Sequence, residues 1–388
     1  MIPLMKSAFY REKETRERLA NFVLGNSPLS IGEHCFEFER KFAESQGRKY
    51  AVLFNSGGSA NLALLQALKN LDYLRSGDAV GFSAVTWSTN VMPIIQLGLR
   101  PIPVDVQPNT LNSMSEQLET VLKRVRLKAF FTTNVLGFCG DLNRIRKVCE
   151  DNGVLLLEDN CEALGSKTPY GLTGSFGLGA TFSFYVSHHL STIEGGMVCT
   201  DTEEISDMLK IVRSNGWGRN LSKARQDYLN KLHNISPFQE KYAFYDLGYN
   251  LKPTEITGFL GLLQLPHLQE IIATREKSYK FFNSVIQKNG DFIPTCSEEL
   301  SVVSCFANPI ICSCPETRRE YLKEFDKARV ETRPLIAGNI QKQPFYRKYV
   351  EATSRLTGAN FINDCGFYFG NCPDYTEEER ETILGCLE

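Results

Sequence analysis

The fold class is decided by the stretch YAVLFNSGGSANLALLQALKNLDYL, residues 50–74. It joins a continuous apolar run at 50–54 to an amphipathic helical pattern at 59–74 through a Gly-rich turn. Continuous apolar runs are typical of strands that are buried on both faces of a mainly parallel sheet. A Gly-rich turn between such a strand and a helix lets backbone N–H groups approach an anion. Residues 55–61 therefore indicate either a phosphate site or a plain glycine turn with a serine N-cap.

The same alternation of strand and helix patterns continues to about residue 215. Further apolar runs lie at 79–85, 100–106, 128–135, 154–158, 180–186 and 196–200. Helical patterns lie at 114–125, 141–152, 203–214 and 254–271. This alternation predicts an α/β fold with a mainly parallel sheet between helices.

The pattern changes near residue 272. A long helix is predicted over 273–288, followed by a segment with few parallel-strand patterns and by helices near 316–328 and 376–387. We therefore predict a large α/β domain at 1–271 and a smaller C-terminal α+β domain at 272–388.

The composition excludes several classes of function. The 388 residues include 43 basic and 45 acidic side chains, so a formal net charge of -2 offers no electrostatic case for a nucleic-acid partner. No apolar run approaches the ~20 residues that span a bilayer, and the first residues lack the apolar core of a signal peptide. We expect a cytoplasmic protein that binds neither nucleic acid nor membranes.

Twelve cysteines are the unusual count in the chain. No CxxC pair occurs, and the closest cysteines are Cys305, Cys312 and Cys314. Reduced thiols are the ordinary state of cysteine in a cytoplasmic protein. We therefore expect no metal site, and the Cys312–Cys314 pair is the only starting point for an iron–sulfur cluster.

Two further segments carry candidate chemistry. Asp159 lies at the carboxyl end of the run at 154–158, where open α/β sheets place ligand groups. Its carboxylate can hold a protonated ring nitrogen, or it can cap the next segment. His188 and His189 are adjacent between a predicted strand and a Glu-Gly-Gly turn. Because neighbouring side chains point in different directions, at most one of them is expected to face a ligand.

Taken in order, these segments resemble the DegT/DnrJ/EryC1/StrS family of sugar aminotransferases from about residue 25 to the end. The matching motifs are Gly32-Glu33, Phe38-Glu39, Asn55-Ser56-Gly57, Thr86-Trp87-Ser88-Thr89, Asn134-Val135-Leu136-Gly137, Glu158-Asp159, Ser183-Phe184, Glu194-Gly195-Gly196, Gly248-Tyr249-Asn250 and Gln343-Pro344. The resemblance implies the fold-type I, aspartate aminotransferase-like architecture of enzymes that use pyridoxal 5'-phosphate (PLP).

One departure from the family pattern changes the implied reaction. The family's aminotransferases bind PLP covalently through a lysine six residues before the Glu of Glu-Gly-Gly, and that position is His188 here. No lysine occurs in 180–208 to replace it. Histidine has no primary amine, but its near-neutral pKa suits a general base. The resemblance therefore implies non-covalent PLP or pyridoxamine 5'-phosphate (PMP) and the sugar 3-dehydratase branch of the family.

That branch removes the C3 hydroxyl from a nucleotide-linked 4-keto-6-deoxyhexose, with L-glutamate regenerating PMP. The runs at 184–189, 216–219 and 331–335 resemble the members that act on GDP-4-keto-6-deoxy-D-mannose, in colitose and O-antigen biosynthesis. A related member acts on a CDP-linked sugar and carries a [2Fe–2S] cluster. Position 322 is Leu and 200–295 holds no cysteine, so we predict no iron–sulfur cluster. The choice between GDP and CDP stays open.

The resemblance also implies catalytic and phosphate-binding roles. His188 would be the general base, and Asp159 would form an ion pair with the pyridine nitrogen. The backbone amides of Gly57 and Gly58 would bind the phosphate, with the Ser183 hydroxyl beside them.

Five other residues are implied in binding. Trp87 would stack on the pyridine ring, unless it is a core side chain. Glu162 would face the ring hydroxyl and is expected to be protonated or rotated away. Asn250 would reach the cofactor phosphate of the neighbouring subunit, which implies a homodimer with shared active sites. Arg219 and Arg333 would bind the substrate diphosphate or the glutamate carboxylate, unless they form surface salt bridges.

Two alternatives remain. One is a PLP-dependent nucleotide-sugar aminotransferase, against which His188 argues. The other is an inactive family member that acts as a regulatory subunit. Retention of Asp159, Trp87 and Ser183 argues against this second alternative, because an inactive site has no need of them.

Overall fold

The computed structural model describes residues 1–351 and 353–388. Its strands, numbered in chain order, are β1 Tyr50–Phe54, β2 Ala79–Ser83, β3 Arg100–Val104, β4 Ala129–Thr133, β5 Leu155–Asp159, β6 Lys167–Thr168, β7 Gly171–Leu172, β8 Gly179–Ser183, β9 Gly196–Thr200, β10 Ala307–Ile311, β11 Thr332–Pro334 and β12 Gly366–Gly370. Its helices are α1 Glu12–Leu24, α2 Glu33–Ser45, α3 Gly57–Asn70, α4 Ser88–Gln96, α5 Ser115–Leu122, α6 Leu142–Asp151, α7 Glu203–Arg213, α8 Lys223–Leu232, α9 Glu255–Gln264, α10 Leu268–Ile286, α11 Pro315–Lys327, α12 Pro344–Tyr349, α13 Thr357–Cys365 and α14 Glu377–Gly385.

Seven strands form the central sheet in the order β1-β9-β8-β5-β4-β2-β3. β9 runs antiparallel to both of its neighbours, and the other pairs are parallel. The predicted mainly parallel sheet is therefore confirmed. None of the described helices combines the length and apolar character that a bilayer crossing requires.

Both faces of the sheet are buried, which explains why its strands are continuous apolar runs. Val52 and Phe54 of β1 pack into a core cluster with α3 and α7. Ala51 and Leu53 point to the opposite face and pack into a cluster with Phe38 of α2. Because successive side chains of a strand alternate between faces, a strand with helices on both sides has no polar face.

A second sheet, β10-β12-β11, is antiparallel and lies within the C-terminal part of the chain. Its cluster includes Phe325 and Phe367, and Ile2 from the other end of the chain joins it. The domain boundary predicted at 271/272 falls inside α10, so the division into 1–271 and 272–388 stays a proposal.

The first residue of β9 comes unusually close to the turn before α3. Gly196 pairs with Phe54 and with Ser183, the last residues of the strands on either side. A side chain at this position would overlap the backbone of Ser56 and Gly57. The strand pairing thus places the last residues of β1 and β8 beside the first residue of β9 and the turn before α3.

We expect Gly196→Ala to lower the free energy of unfolding by about 1–3 kcal/mol, because backbone atoms have no rotamer with which to move away. Urea denaturation measures the effect. Gly290→Ala is the matched control, since a Cβ there meets no atom within 4 Å. The control is expected to change stability by less than about 1 kcal/mol. Equal effects of the two substitutions would contradict the close approach.

Candidate active site

A cavity of about 430 Å³ lies at the carboxyl ends of β4, β5 and β8. Its lining residues are Ser56, Gly57, Gly58, Trp87, Thr89, Thr133, Asp159, Cys161, Glu162, Ser183, Tyr185, Ser187, His188, Glu194, Phe306, Ile336 and Tyr368. This is the edge at which open α/β sheets bind ligands. We call it the main cavity.

The turn before α3 forms one wall of the main cavity. Ser56 caps the helix, because its hydroxyl accepts a hydrogen bond of 3.1 Å from the amide of Ser59. A Cβ on Gly57 would lie 2.7 Å from the Cβ of Ser183, so only glycine lets the two segments approach this closely. Backbone amides at a helix N-terminus, with a serine hydroxyl beside them, are suited to bind a phosphate.

Asp159 ends β5 on the floor of the main cavity, and three donors hold its carboxylate. Asn61 and Asn90 donate side-chain hydrogen bonds of 3.0 and 2.7 Å to Oδ2, and the amide of Cys161 donates one of 2.9 Å to Oδ1. All three donors are neutral, so the site keeps the negative charge of the carboxylate for a cationic ligand group. The two asparagines were not predicted from the sequence.

Glu162 directly follows Cys161 in the sequence and lines the same cavity. Its carboxyl accepts a hydrogen bond of 2.9 Å from the amide of Leu136. Burial, opposed by the hydrogen bond from the Leu136 amide and aided by the nearby Asp159, raises the pKa of Glu162 to about 8. A carboxyl that is protonated at neutral pH can donate a hydrogen bond to an oxyanion, which is the first of the two alternatives, protonated or rotated away, that the resemblance implies for Glu162.

The structure separates the two adjacent histidines. His188 is partly buried, lines the main cavity and packs its ring 5.1 Å from that of Phe306. Burial, and to a smaller extent the charge of Arg275, lower the pKa of His188 to about 3, so the ring is neutral at neutral pH. His189 is fully buried, and its Nε2 lies 2.9 Å from the carbonyl oxygen of Ser304.

Aromatic side chains surround the opening of the main cavity. Trp87 immediately precedes α4 and is 57% exposed, so it is not a core residue. Tyr368 on β12 and Phe306 before β10 also line the cavity and come from the C-terminal part of the chain. Neither was predicted, because their positions depend on long-range packing for which the sequence offers no local pattern.

Three predicted binding residues lie outside the main cavity. Asn250 is exposed and forms a bridge with Ser214. Arg219 lies 5.2 Å above the ring of Trp217, beside a separate surface cavity. Arg333 forms an ion pair with Glu331, and it is paired across β11 and β12 with Tyr368, which does line the cavity.

The cysteines show no metal-binding arrangement. Within the described parts of the chain, no group of three or more His, Cys, Asp or Glu side chains could hold a metal ion. Cys314 instead caps α11, with its sulfur 3.5 Å from the amide of Thr317.

Comparisons with known proteins agree on one family. The family model of the DegT/DnrJ/EryC1/StrS aminotransferases matches residues 10–388. GDP-4-keto-6-deoxy-D-mannose 3-dehydratase of Yersinia pseudotuberculosis is 34% identical over 372 residues, which cover 94% of this chain and 93% of that protein. The lipopolysaccharide biosynthesis protein RfbH of Salmonella typhimurium is 31% identical over 380 residues, covering 93% and 85%.

A solved structure extends this similarity to three dimensions. The crystal structure of a GDP-4-keto-6-deoxymannose-3-dehydratase with a trapped PLP-glutamate geminal diamine superposes with a TM-score of 0.90. The two chains are 31% identical, and the match covers all of both.

The raised pKa of Glu162 predicts a pH-dependent contribution to stability. Between the ordinary value of 4.5 and about 8, the folded protein binds a proton that the unfolded chain releases. The contribution of Glu162 to the free energy of unfolding is therefore complete below pH 4.5 and is lost as the pH rises towards 8. Glu162→Gln keeps an acceptor for Leu136 and cannot titrate.

We expect the stability of Glu162→Gln, relative to the unmodified protein, to increase steadily from pH 5 to pH 8. Urea denaturation at several pH values measures this difference, from which the other titrating groups cancel. A difference that stays constant over this range would show that Glu162 is ionised in the folded protein.

Proposed function

Because the chain belongs to the DegT/DnrJ/EryC1/StrS aminotransferase family, we propose that it removes the C3 hydroxyl from a nucleotide-linked 4-keto-6-deoxyhexose, using PLP and PMP. GDP-4-keto-6-deoxy-D-mannose is the proposed substrate, as the name of the Yersinia relative suggests. The observation that carries the proposal is a neutral histidine, His188, on the main cavity at the position of the family's lysine.

The main cavity fits a phosphorylated pyridine. The Gly57 and Gly58 amides and the Ser183 hydroxyl would hold the phosphate in the cradle that a Cβ on Gly57 would fill. Asp159 would pair with the ring nitrogen, and the exposed face of Trp87 would stack on the ring. When bound, PLP and PMP supply an electron-withdrawing ring and an exchangeable amino group.

No lysine is among the described residues that line the main cavity, so the cofactor would be held without a covalent bond. His188 would then transfer the proton. Its neutral ring can take up a proton and hold it. It can then deliver this proton to the C3 hydroxyl, which departs as water. The neutral carboxyl of Glu162 would donate to the ring hydroxyl of the cofactor and so favour its anionic form.

L-Glutamate is the proposed amino donor, supported by the solved relative in which PLP and glutamate are trapped together. Each turnover would consume one glutamate and release 2-oxoglutarate and ammonia with the 4-keto-3,6-dideoxy sugar. Arg333, which is paired with Tyr368 across the small sheet, is the better placed of the two arginines to bind a diphosphate or carboxylate at the opening.

The protein would act as a homodimer with shared active sites. Exposed large apolar side chains cluster between residues 217 and 250, and include Phe238, Tyr242, Phe244 and Leu247. A concentration of exposed large apolar side chains in one segment favours a protein interface there. Asn250 follows this segment and is exposed, so a second copy could bring it to the phosphate of the first. We propose that the protein acts in the cytoplasm, in dideoxysugar and lipopolysaccharide biosynthesis.

The reaction is tested by incubating the protein with PLP, L-glutamate and GDP-4-keto-6-deoxy-D-mannose and following the product mass. We expect a sugar that has lost one oxygen atom, with 2-oxoglutarate formed in equal amount. His188→Asn keeps a planar polar side chain but is not a base, so it is expected to slow turnover by at least about 100-fold. An amino sugar would instead identify an aminotransferase, and no product would identify an inactive subunit.

The shared site is tested by mixing two variants. Asn250→Ala and His188→Asn are each expected to have little activity alone. In a mixed dimer, one site combines an intact His188 with an intact Asn250 from the other subunit. After mixing and subunit exchange, each mixed dimer should therefore have up to half the activity of an unmodified dimer. Activity that stays at the level of the separate variants would show that each site uses its own Asn250.

A further inference from the structure

His188 separates the main cavity from a second, smaller one. Among the described residues it is the only one that lines both. The smaller cavity has a volume of about 30 Å³ and is lined by the segment at 7–10, by His189 and by Arg275. This volume has room for about two water molecules. We call it the rear cavity.

Arg275 of α10 is a buried cation with unusual partners. Its side chain is 2% exposed, and Nη1 donates to the carbonyl oxygens of Phe306 and Asn371 at 2.9 and 3.1 Å. Its Nε has no hydrogen-bond partner, and no carboxylate lies within ion-pair distance in the part of the chain that the structure describes. A buried charge without a counter-ion is costly, which points to a use beyond packing.

Phe306 links Arg275 to His188. Its carbonyl oxygen accepts the Arg275 hydrogen bond, while its ring packs 5.1 Å from the His188 ring. Asn371 also connects these segments, since its side chain donates hydrogen bonds to the carbonyl oxygens of Arg275 and Cys305. The position of the guanidinium and the orientation of the imidazole therefore depend on the same backbone.

The titratable groups around His188 come from several elements. Those on the two cavities are Asp159, Cys161 and Glu162 after β5, Tyr185, His189 and Glu194 on its own loop, Tyr368 on β12, Tyr10 in the N-terminal segment and Asp374 before α14. Arg275 is the only Arg or Lys among the described lining residues of either cavity. Its positive charge therefore adds to burial, which is the larger cause, in opposing protonation of His188.

We propose that Arg275 is a positioning residue for His188: its buried charge adds to the effect of burial in keeping the imidazole neutral, and its hydrogen bond to Phe306 orients the ring. The catalytic meaning of this arrangement rests on the proposed function. The effect of the Arg275 charge on His188 is present in the protein without substrate. This effect and the proposed function can therefore fail separately.

The protonation state of His188 is measured by NMR titration of the full-length protein labelled at its five histidines, without substrate. The His188→Asn spectrum assigns the signal. In Arg275→Gln we expect the His188 pKa to rise by at least about one unit, as a nearby charge commonly shifts a pKa. Arg275→Lys keeps the charge and is expected to leave the His188 pKa low.

A second pair of variants keeps Arg275 in place. Ile271 lies one turn before Arg275 on α10 and also lines the rear cavity. Ile271→Glu would set a carboxylate against the guanidinium at the i, i+4 spacing, while Ile271→Gln has the same shape without the charge. We expect the His188 pKa to rise in Ile271→Glu by at least about one unit more than in Ile271→Gln.

The proposal is overturned if His188 titrates alike in Arg275→Gln and Arg275→Lys, or alike in the two Ile271 variants. Thermal unfolding establishes which pair is folded, and either pair decides the question. If the titration depends on Arg275 as expected but the unmodified protein forms no dehydrated sugar, only the proposed function fails.

Discussion

The candidate site depends on the buried carboxylate of Asp159. Asn61 comes from α3, Asn90 from α4, and Asp159 itself ends β5, so three separate elements meet at one charge. A buried carboxylate is costly unless donors surround it, and here the donors are neutral amides. Loss of any one element would leave the charge less well satisfied. Because hydrogen bonds to this charge come from side chains of the protein, the N-terminus of α3 and its glycines lie beside the end of β5.

The loop that carries His188 is held by a second constraint. It connects β8 to β9, which are neighbours in the sheet, so both of its ends are fixed. Phe184 donates to the carbonyl of Gly195, and Thr192 donates to the carbonyl of Phe184. Glu158 supports the chain that leads into β8, because its carboxylate accepts from the amides of Gly174, Phe176 and Gly177.

The sequence predicted the central sheet well and the small sheet poorly, for physical reasons. β1 and β9 match their predicted ranges residue for residue, because strands buried on both faces leave a continuous apolar run. α4 was missed, since it is short and contains Pro93. The strands at 307–311 and 366–370 were missed because Asn308 and Pro309 interrupt the apolar run of the first, and the glycines at both ends of the second leave an apolar run of only three residues.

The same distinction applies to the site. Local motifs located Gly57, Asp159 and His188, and the structure brings these residues to one cavity, although their roles stay proposals. Arg275, Asn90 and Tyr368 had no such motif, because each acts through packing between distant segments. Asn250 and Arg219 were predicted to bind a ligand, but in a single copy of the chain neither of them lines the main cavity.

The lack of a lysine on the described lining of the main cavity has a consequence for the cell. A covalently bound cofactor stays with its protein, whereas one held by hydrogen bonds, stacking and charge is in equilibrium with the free pool. The fraction of the protein that holds its cofactor would then depend on the supply of vitamin B6, from which PLP is made, and on competition from other proteins that bind PLP. Folding would follow it too, since a ligand at 100 times its Kd adds about 2.7 kcal/mol to the stability of the native state. Starvation for the vitamin would thus reduce both the activity and the lifetime of the protein.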